Sequence, residues 1–183
     1  MFSEAIRRVG TYLRSCYSRN MGFTIRQSKR EDMDSILEVE RDAFPEYLQA
    51  NKEALIERLN LFPEGFLIVE NDSEIIGLST ALIIEEVSSA SDLNRKPKKL
   101  FNEEGDTYYL RSIAVRKSFQ GQNVGKKLIE THMANARKRG LKRLVLTSLK
   151  SLEGYYEKLG FRKVGGYEET ADGVEELLWM KEL

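Results

Sequence analysis

The sequence predicts an α/β fold in which helices flank a mixed, mostly antiparallel central sheet. Segments rich in β-branched and aromatic residues face each other across short turns, at residues 71–73 and again near the C-terminus, and this arrangement is typical of antiparallel hairpins. Between the two hairpins, an apolar segment at 107–115 leads through a glycine loop into an amphipathic helix and then to a second apolar segment at 143–148. A strand, a helix and a strand in that order indicate one parallel crossover.

A short strand and two helices precede the first hairpin. Residues 23–28 form the predicted first strand. Ser28, with Glu31 three residues later, matches a capping box that would begin a helix, and this helix ends near Phe44 because Pro45 cannot continue it. The next predicted elements are a helix at 52–61 and the hairpin strands at 66–70 and 74–84.

The second half of the chain holds the crossover and the last hairpin. Residues 85–106 are charged and rich in turn formers, and a connection of this length in a compact domain is usually functional or disordered. The crossover helix ends at Arg139, where Gly140 follows as a cap. The remaining predicted elements are a short helix at 151–159 and strands at 161–167 and 174–181.

Residues 1–22 are predicted as an N-terminal amphipathic helix outside the main domain, which takes residues 23–183. Apolar residues recur at helical spacing from Phe2 to Leu13, and arginines lie off that stripe. The pattern favours a helix that packs on the domain or on a second copy of the chain, as in a homodimer. A basic helix on a membrane surface is the alternative, which the pattern favours less.

The composition excludes several functional classes. Lysine plus arginine and aspartate plus glutamate both total 29, so a formal net charge of zero offers no electrostatic basis for binding nucleic acid. One cysteine and one histidine, Cys16 and His132, exclude an internal disulfide and metal sites built from several such ligands, and we expect no metal. No apolar run approaches the roughly 20 residues of a membrane span, and we expect a cytoplasmic protein.

The glycine loop at 120–125 carries the clearest functional signal. It joins the strand at 107–115 to the start of the crossover helix, where backbone N–H groups converge and the helix dipole adds roughly half a positive charge. Loops of this kind bind phosphate groups. The residues match neither the P-loop nor the dinucleotide-binding glycine motif, so another ligand with phosphate or pyrophosphate is expected.

Two motifs resemble the GNAT superfamily of N-acetyltransferases. The loop, which reads Gln120-Gly121-Gln122-Asn123-Val124-Gly125, is similar to the family signature Gln/Arg-x-x-Gly-x-Gly/Ala. A second segment, from Tyr155 to Phe161, reads Tyr-Tyr-Glu-Lys-Leu-Gly-Phe and is similar to a Tyr-Glu-Lys-x-Gly-Phe segment after the family's next strand. The loop departs from the family at Asn123, where glycine is usual. Asparagine best tolerates a left-handed backbone after glycine, so the departure weakens the match without breaking it.

The resemblance covers residues 23–183 and implies the acyl-CoA N-acyltransferase fold, with a sheet that splays between the strands near 107–115 and 143–148. It implies acetyl-CoA as the co-substrate, with the pantetheine arm in that gap, and no metal. It also implies transfer of the acetyl group to a primary amine by direct attack in a ternary complex. The residues expected to bind the cofactor are Ile113, Ala114, Val115, Gln120, Gly121, Gln122, Asn123, Val124, Gly125 and Lys126.

Two residues are candidates for catalysis. Tyr156 resembles the family tyrosine that protonates the departing thiolate, and a phenol with a pKa near 10 can do so for a thiol near 8.5. A buried tyrosine that packs the short helix on the sheet is the alternative. Glu85 is the candidate base, because relatives carry a carboxylate near the thioester and at most one of Glu85 and Glu86 faces the cleft. A solvated, charged loop is the alternative for both carboxylates.

The acceptor is the least determined part of the expected reaction. Acidic residues border the expected cleft mouth and favour a cationic small amine, although basic residues in the same segment oppose that preference. The acidic residues are Glu85, Glu86, Asp92, Glu103, Glu104 and Asp106. A peptide or protein amine stays open as the acceptor. A non-catalytic module that binds acyl-CoA on the same fold is the alternative of a different class.

Overall fold

A computed structural model describes residues 22–93, 95–169 and 175–183, which form one sheet with helices on both faces. The strands are β1 (Thr24–Gln27), β2 (Phe66–Asn71), β3 (Glu74–Ile84), β4 (Thr107–Val115), β5 (Arg143–Ser148), β6 (Arg162–Glu169) and β7 (Glu175–Glu182). The α-helices are α1 (Met33–Ala43), α2 (Lys52–Leu61), α3 (Pro97–Leu100), α4 (Val124–Lys138) and α5 (Glu153–Lys158). The helix predicted before residue 22 lies outside the described residues. None of the described helices is long and apolar enough to cross a membrane.

The seven strands are ordered β1-β2-β3-β4-β5-β7-β6. Neighbouring strands run antiparallel, except that β4 and β5 run parallel across the crossover helix α4. The structure therefore confirms the predicted mixed, mostly antiparallel sheet. Asp72 and Ser73 turn the β2–β3 hairpin with positive φ at both positions. Such a turn matches the twist of paired strands, which explains why this hairpin is evident in the sequence.

Strand β4 contains a bulge at Arg111. Thr80 of β3 pairs with Ser112, and the next residue, Ala81, pairs with Leu110, so Arg111 has no partner in the ladder. One extra residue in a strand shifts the alternation of side chains between the two faces of the sheet. The bulge therefore decides which side chains of β4 share a face, in the middle of the sheet.

Helices α1 and α2 cover one face of the sheet and helix α4 covers the other. Met33, Ile36 and Val39 recur at helical spacing on α1 and pack with Leu55 of α2 against the strands. On the opposite face, Leu128 of α4 packs with apolar residues of β2 and β3. Burial of these apolar stripes on both faces fixes the loop that leads into α4 at the end of β4.

The predicted capping box at Ser28 is wrong. The backbone N–H of Ser28 donates to the Phe66 carbonyl, so Ser28 still belongs to the β1–β2 pairing, and its buried hydroxyl has no partner in the described part of the chain. A 3-10 turn at 30–32 follows, and the Lys29 amide donates to the carboxylate of Asp32 at 2.7 Å. Asp32 thus takes the role that the pattern assigned to Glu31, and Lys29 takes the cap position that it assigned to Ser28, because Ser28 is held in the β1–β2 pairing.

The connection between β3 and β4 is more ordered than a simple loop. It contains a 3-10 turn at Ser91–Leu93 and the short helix α3, and it buries Ala90, Leu93 and Leu100 in the main core. The Asn102 amide donates to the Ile83 carbonyl at 2.9 Å. These three apolar anchors tie the segment to the sheet, so its length does not indicate disorder.

His132 is fully buried between α4 and the sheet. Its Nε2 lies 2.7 Å from the Ser79 hydroxyl and its Nδ1 lies 2.9 Å from the Tyr108 hydroxyl. A neutral ring donates at one nitrogen and accepts at the other, so the two hydroxyls satisfy it in either tautomer. Burial lowers the pKa of His132 to about 3. The side chain is a structural hydrogen-bonding group that stays neutral in the folded protein.

Candidate active site

The central feature of the site is a gap between β4 and β5. The two strands pair at three positions, where Thr107, Tyr108 and Tyr109 face Arg143, Leu144 and Val145. Strand β4 continues to Val115, whereas β5 continues beside β7. The edge of β4 at residues 110–115 is therefore without a strand partner on the β5 side in the described chain. Backbone groups on such an edge can bond an extended ligand as they would bond a further strand.

The loop at the end of β4 presents a row of unpaired amides. Gly121 has a φ of 75° and Asn123 a φ of 64°, so the chain turns through two left-handed residues before α4 begins. The Gln120 amide donates to the Lys117 carbonyl, and the Lys127 amide donates to the Asn123 carbonyl. Between them, the amides of residues 121–126 donate to no other group among the described residues. Unpaired amides at a helix N-terminus bind anions, so we call the row at residues 121–126 the anion cradle.

The two glycines leave open space beside the cradle amides. A Cβ atom built on Gly121 would meet no atom within 4 Å. On Gly125 it would meet the Tyr155 hydroxyl at 3.6 Å and Ile113 Cγ2 at 3.9 Å, both ordinary contacts. A ligand oxygen can therefore approach the amides closely, and the positive end of the α4 dipole favours a negative charge there. The amides could hold the diphosphate of coenzyme A, and no covalent group or metal is needed for that contact.

Side chains around the cradle brace the loop. Gln120 donates from Nε2 to the Val115 carbonyl, and Gln122 donates from Nε2 to the Ser118 carbonyl, each at 3.0 Å. Arg116 is held by the Ile75 carbonyl and by ion pairs to carboxylates outside the loop, so it is committed to the scaffold. Lys126 is exposed and lies 3.8 Å from Glu130, a pair too solvated to neutralise it.

The predicted cofactor residues of β4 offer backbone and not side chains. Ile113 and Val115 pack with Leu128 on the α4 face of the sheet, and Ala114 packs with α1 and α2 on the other face. Their side chains are thus part of the core. Main-chain groups of alternate residues point to the two sides of a strand, so Ile113 and Val115 face the open edge and Ala114 faces β3. The cradle follows at the same end of β4, after a 3-10 turn at Lys117–Phe119.

The two tyrosines of α5 have different environments. Tyr156 is 7% exposed, and its ring packs against Phe161 and Trp179 with centroids 5.8 Å away in each case. Burial raises the pKa of the Tyr156 hydroxyl, so the phenol keeps its proton. Tyr155 is 39% exposed, and its hydroxyl is the one that approaches Gly125. Sequence reasoning set Tyr155 aside, and the structure adds it to the wall of the cradle.

Most of the chain matches one protein family. Residues 33–161 match the family described as Acetyltransferase (GNAT) family. The chain belongs to the GNAT family of acetyltransferases. Members of this family use acyl-CoA, which agrees with the splayed sheet and the cradle.

Relatives of known structure share the fold of this GNAT protein. The loading GNATL domain of CurA from Lyngbya majuscula is 17% identical, with a TM-score of 0.74 over 88% of this chain and 98% of that chain. The GphF GNAT-like decarboxylase, in complex with isobutyryl-CoA, is 19% identical, with a TM-score of 0.72 over 87% of this chain and 98% of that chain. At these identities the likeness concerns the fold alone.

A curated relative is the probable hydrolase YhcX of Bacillus subtilis (strain 168). It is 26% identical over 133 residues, which are 67% of this chain and 25% of the relative. The GNAT chain thus spans about a quarter of the length of the curated relative that it matches.

The structure does not bring Glu85 to the gap of this GNAT sheet. Glu85 follows β3 directly, and the end of β3 pairs with Thr107 at the opposite end of β4 from the cradle. The three paired positions of β4 and β5 separate it from the gap. Its carboxylate accepts a hydrogen bond from the Asn102 side chain, and the neighbouring Glu86 forms an ion pair with Arg143. The sequence pattern could not distinguish the two ends of the strand, and the assignment of Glu85 as base is not retained.

Sequence reasoning also missed a polar cluster on the α1–α2 face of this GNAT fold. It contains Arg58 of α2, Arg111 of the β4 bulge, the hydroxyl of Tyr109 and the carboxyl group of Glu40. Arg58 lies next to the buried Leu59 on an amphipathic helix, where an arginine is usually solvated. No sequence signal shows that the bulge brings Arg111 opposite it. Among the described residues, no group of three acidic, histidine or cysteine side chains could hold a metal ion.

Proposed function

We propose that this protein transfers the acetyl group of acetyl-CoA to a primary amine, by direct attack in a ternary complex. The observation that carries the proposal is the continuity of the site. The unpaired edge of β4 at residues 110–115 leads, through the 3-10 turn at Lys117–Phe119, to the amide row at 121–126. An extended chain that ends in a diphosphate matches that line, and the pantetheine arm of coenzyme A is such a chain.

The backbone would do most of the positioning. The diphosphate would accept hydrogen bonds from the amides of the cradle, and the amide groups of pantetheine would bond the edge of β4 as a further strand does. The thioester would then lie near the bulge at Arg111, where the gap begins beyond Tyr109. Acyl transfer from a thioester to an amine needs orientation more than a protein nucleophile, because the acyl group is already activated.

The leaving group would be protonated by Tyr156. The amine attacks the thioester carbonyl carbon, the C–S bond breaks, and the thiolate takes the phenolic proton. The attacking nitrogen loses a proton to solvent as the amide forms, and a proton from solvent restores the phenol. The raised pKa of Tyr156 keeps the phenol protonated between turnovers. With Glu85 outside the gap, we assign no protein base, and the acceptor attacks as its neutral amine. The acceptor ammonium loses a proton to solvent before the neutral amine attacks.

A peptide amine is the second candidate acceptor. Tyr47, in the connection between α1 and α2, is 69% exposed, and an exposed aromatic side chain suits contact with a polypeptide. A depression of about 500 Å³ also runs along α2. A non-catalytic acyl-CoA module would share the cradle and release no thiol.

Binding and turnover are tested separately. Calorimetry with acetyl-CoA tests the cradle, and release of free thiol with a panel of small amines and peptides tests the transfer. We expect saturable binding of acetyl-CoA and thiol release that depends on the amine. Binding without thiol release from any amine or peptide would assign the chain to the non-catalytic class. No binding of acetyl-CoA would overturn the proposal as a whole.

A further inference from the structure

Two arginine side chains lie close enough to repel each other near the start of the gap, on the face of the sheet covered by α1 and α2. Arg58 is on α2, between the buried Leu55 and Leu59, and therefore near the face that packs on the sheet. Arg111 is the extra residue of the β4 bulge. Their positive charges repel each other, and this repulsion is second only to burial among the factors that disfavour the charge of Arg58.

Neither guanidinium group has a partner within the described chain. Both Nε atoms are buried, and neither side chain forms a hydrogen bond or an ion pair with any described residue. The Cζ atom of Arg111 lies 6.0 Å from the centre of the Tyr109 ring, a cation–π contact that supplies no hydrogen-bond acceptor. A buried donor without an acceptor and two like charges side by side both cost stability. Such an arrangement is expected where a ligand supplies the missing anion.

The carboxylates of the neighbourhood supply it only in part. Glu40 faces Arg58 from α1 and favours the charge of Arg58, but it is 1% exposed, its Oε1 has no hydrogen-bond partner among the described residues, and burial raises its own pKa. Glu57 also favours the charge of Arg58, and neither Glu57 nor Glu176 forms an ion pair with either arginine among the described residues. The net effect lowers the pKa of Arg58 to about 10, so Arg58 gains from an added anion.

The position of the pair separates it from the phosphates of coenzyme A. Arg111 lies two residues beyond Tyr109, the last paired residue of β4, and the cradle lies past the other end of the open edge. Under the proposed function, this is the place where the amine meets the thioester. The forked donors of arginine match the two oxygens of a carboxylate, and two such groups around one carboxylate form a specific site.

We propose that Arg58 and Arg111 bind a carboxylate of the acceptor, so that the acceptor is an amino acid with a free carboxylate near its amino group. This inference rests on the proposed function and names its substrate class. The acidic residues in the sequence favour a cationic small amine. The inferred acceptor also carries a negatively charged carboxylate. Two of those acidic residues are engaged elsewhere, because Glu86 forms an ion pair with Arg143 and Asp106 forms one with Lys142.

The experiment compares α-amino acids with their own carboxamides, which keep the amine and lose the negative charge. Thiol release from acetyl-CoA is measured for wild type and for the variants Arg58→Gln and Arg111→Gln. Arg137→Gln is the control, because Arg137 is exposed in the last turn of α4, on the other face of the sheet. We expect wild type to favour the amino acid over its carboxamide at least tenfold in kcat/KM. Arg58→Gln and Arg111→Gln should each lose that preference through a higher KM for the amino acid. Arg137→Gln should keep it.

A binding measurement keeps the test independent of turnover. Calorimetry of the complex with coenzyme A should show N-acetyl amino acids binding at least tenfold more tightly than N-acetyl amino carboxamides. Arg58→Gln and Arg111→Gln should bind the two ligands equally, and their affinity for coenzyme A should stay within about threefold of the wild-type value. Circular dichroism confirms that each variant is folded, and Arg58→Lys and Arg111→Lys, which keep the charge but lose the fork, should be intermediate.

Three results would overturn the inference and leave the acetyltransferase proposal intact. The first is equal use of amino acids and carboxamides by wild type. The second is an equal loss for both substrates in the arginine variants. The third is a selective loss of affinity for succinyl-CoA relative to acetyl-CoA in those variants, which would place the carboxylate on the acyl group. Failure of acetyl-CoA to bind wild type would instead overturn the proposed function.

Discussion

Replacement of Gly125 by aspartate is the sharpest test of the cradle. The side chain would project into the open space above the amide row, where a new Cβ meets the Tyr155 hydroxyl at 3.6 Å and no backbone atom within 4 Å. Residue 125 is the second residue of α4, and an aspartate in the first turn stabilises a helix by about 0.3–1 kcal/mol. We therefore expect the free energy of unfolding to stay constant or to rise.

The same carboxylate should expel the diphosphate. A phosphate bound to the adjacent amides would lie roughly 4 Å from it, and two unit charges at that distance repel by about 1 kcal/mol in water and about 4 kcal/mol at an effective dielectric constant of 20. The aspartate can also accept hydrogen bonds from the amides that the diphosphate would use. The Kd for acetyl-CoA should therefore rise at least tenfold, which corresponds to about 1.4 kcal/mol.

The matched control is Gly125→Asn, which has nearly the same size and no charge. Calorimetry with acetyl-CoA should give a smaller loss for the asparagine variant than for the aspartate variant, and the difference should shrink as salt increases. Gly166→Asp, at a site on β6 where a Cβ meets nothing within 4 Å, should leave the affinity unchanged. A folded Gly125→Asp variant with wild-type affinity would show that the ligand does not use these amides.

The remaining predictions concern protons. Tyr156→Phe keeps the ring packing and should lower kcat by about 10² to 10⁴ with nearly unchanged affinity for acetyl-CoA, while Tyr155→Phe stays within about threefold; the reverse result would assign the acid to Tyr155. Without a protein base, kcat/KM should rise with pH up to the pKa of the acceptor amine, and a plateau near neutral pH would indicate a base in the protein. His132 has a folded pKa of about 3 and an unfolded value near 6.5, so its contribution is complete above pH 6.5 and is lost as pH falls toward 3. Urea unfolding should show about 2 kcal/mol less stability at pH 5 than at pH 7, and an unchanged slope in His132→Gln would contradict this origin.

The elements that local patterns determine could be predicted from the sequence. The strand expected at 74–84 is Glu74–Ile84 in the structure, because most of its residues are apolar or β-branched and a left-handed turn precedes it. The helix expected at 52–61 is Lys52–Leu61, because Asn51 caps it and Pro63 follows its end. The expectation of a gap in the sheet rested on the resemblance to GNAT proteins, because no local sequence pattern shows where two parallel strands stop pairing.

Features that depend on the packing of distant segments could not be predicted. Whether Tyr155 or Tyr156 faces the cradle depends on how a six-residue helix is rotated on the sheet, and one residue changes that direction by about 100°. The position of Glu85 depends on which end of β4 carries the gap, and this follows from the register of β4 with β5. From the sequence alone, Arg58 would be taken as a solvated residue of α2, because the sequence does not show which strand packs against that helix.

The bulge at Arg111 connects the two parts of the proposed reaction. In a regular strand, the residues at positions 111 and 114 would face opposite sides of the sheet, because three positions separate them and strand side chains alternate. With the bulge, Arg111 shares the α1–α2 face with Ala114 and meets Arg58, while Ile113 and Val115 still pack against α4 behind the cradle. One inserted residue thus lets a single strand present its backbone to the cofactor and a cationic side chain to the acceptor. Deletion of Arg111 should therefore abolish the preference for a carboxylate and also shift the cofactor edge, whereas Arg111→Gln should affect the acceptor alone.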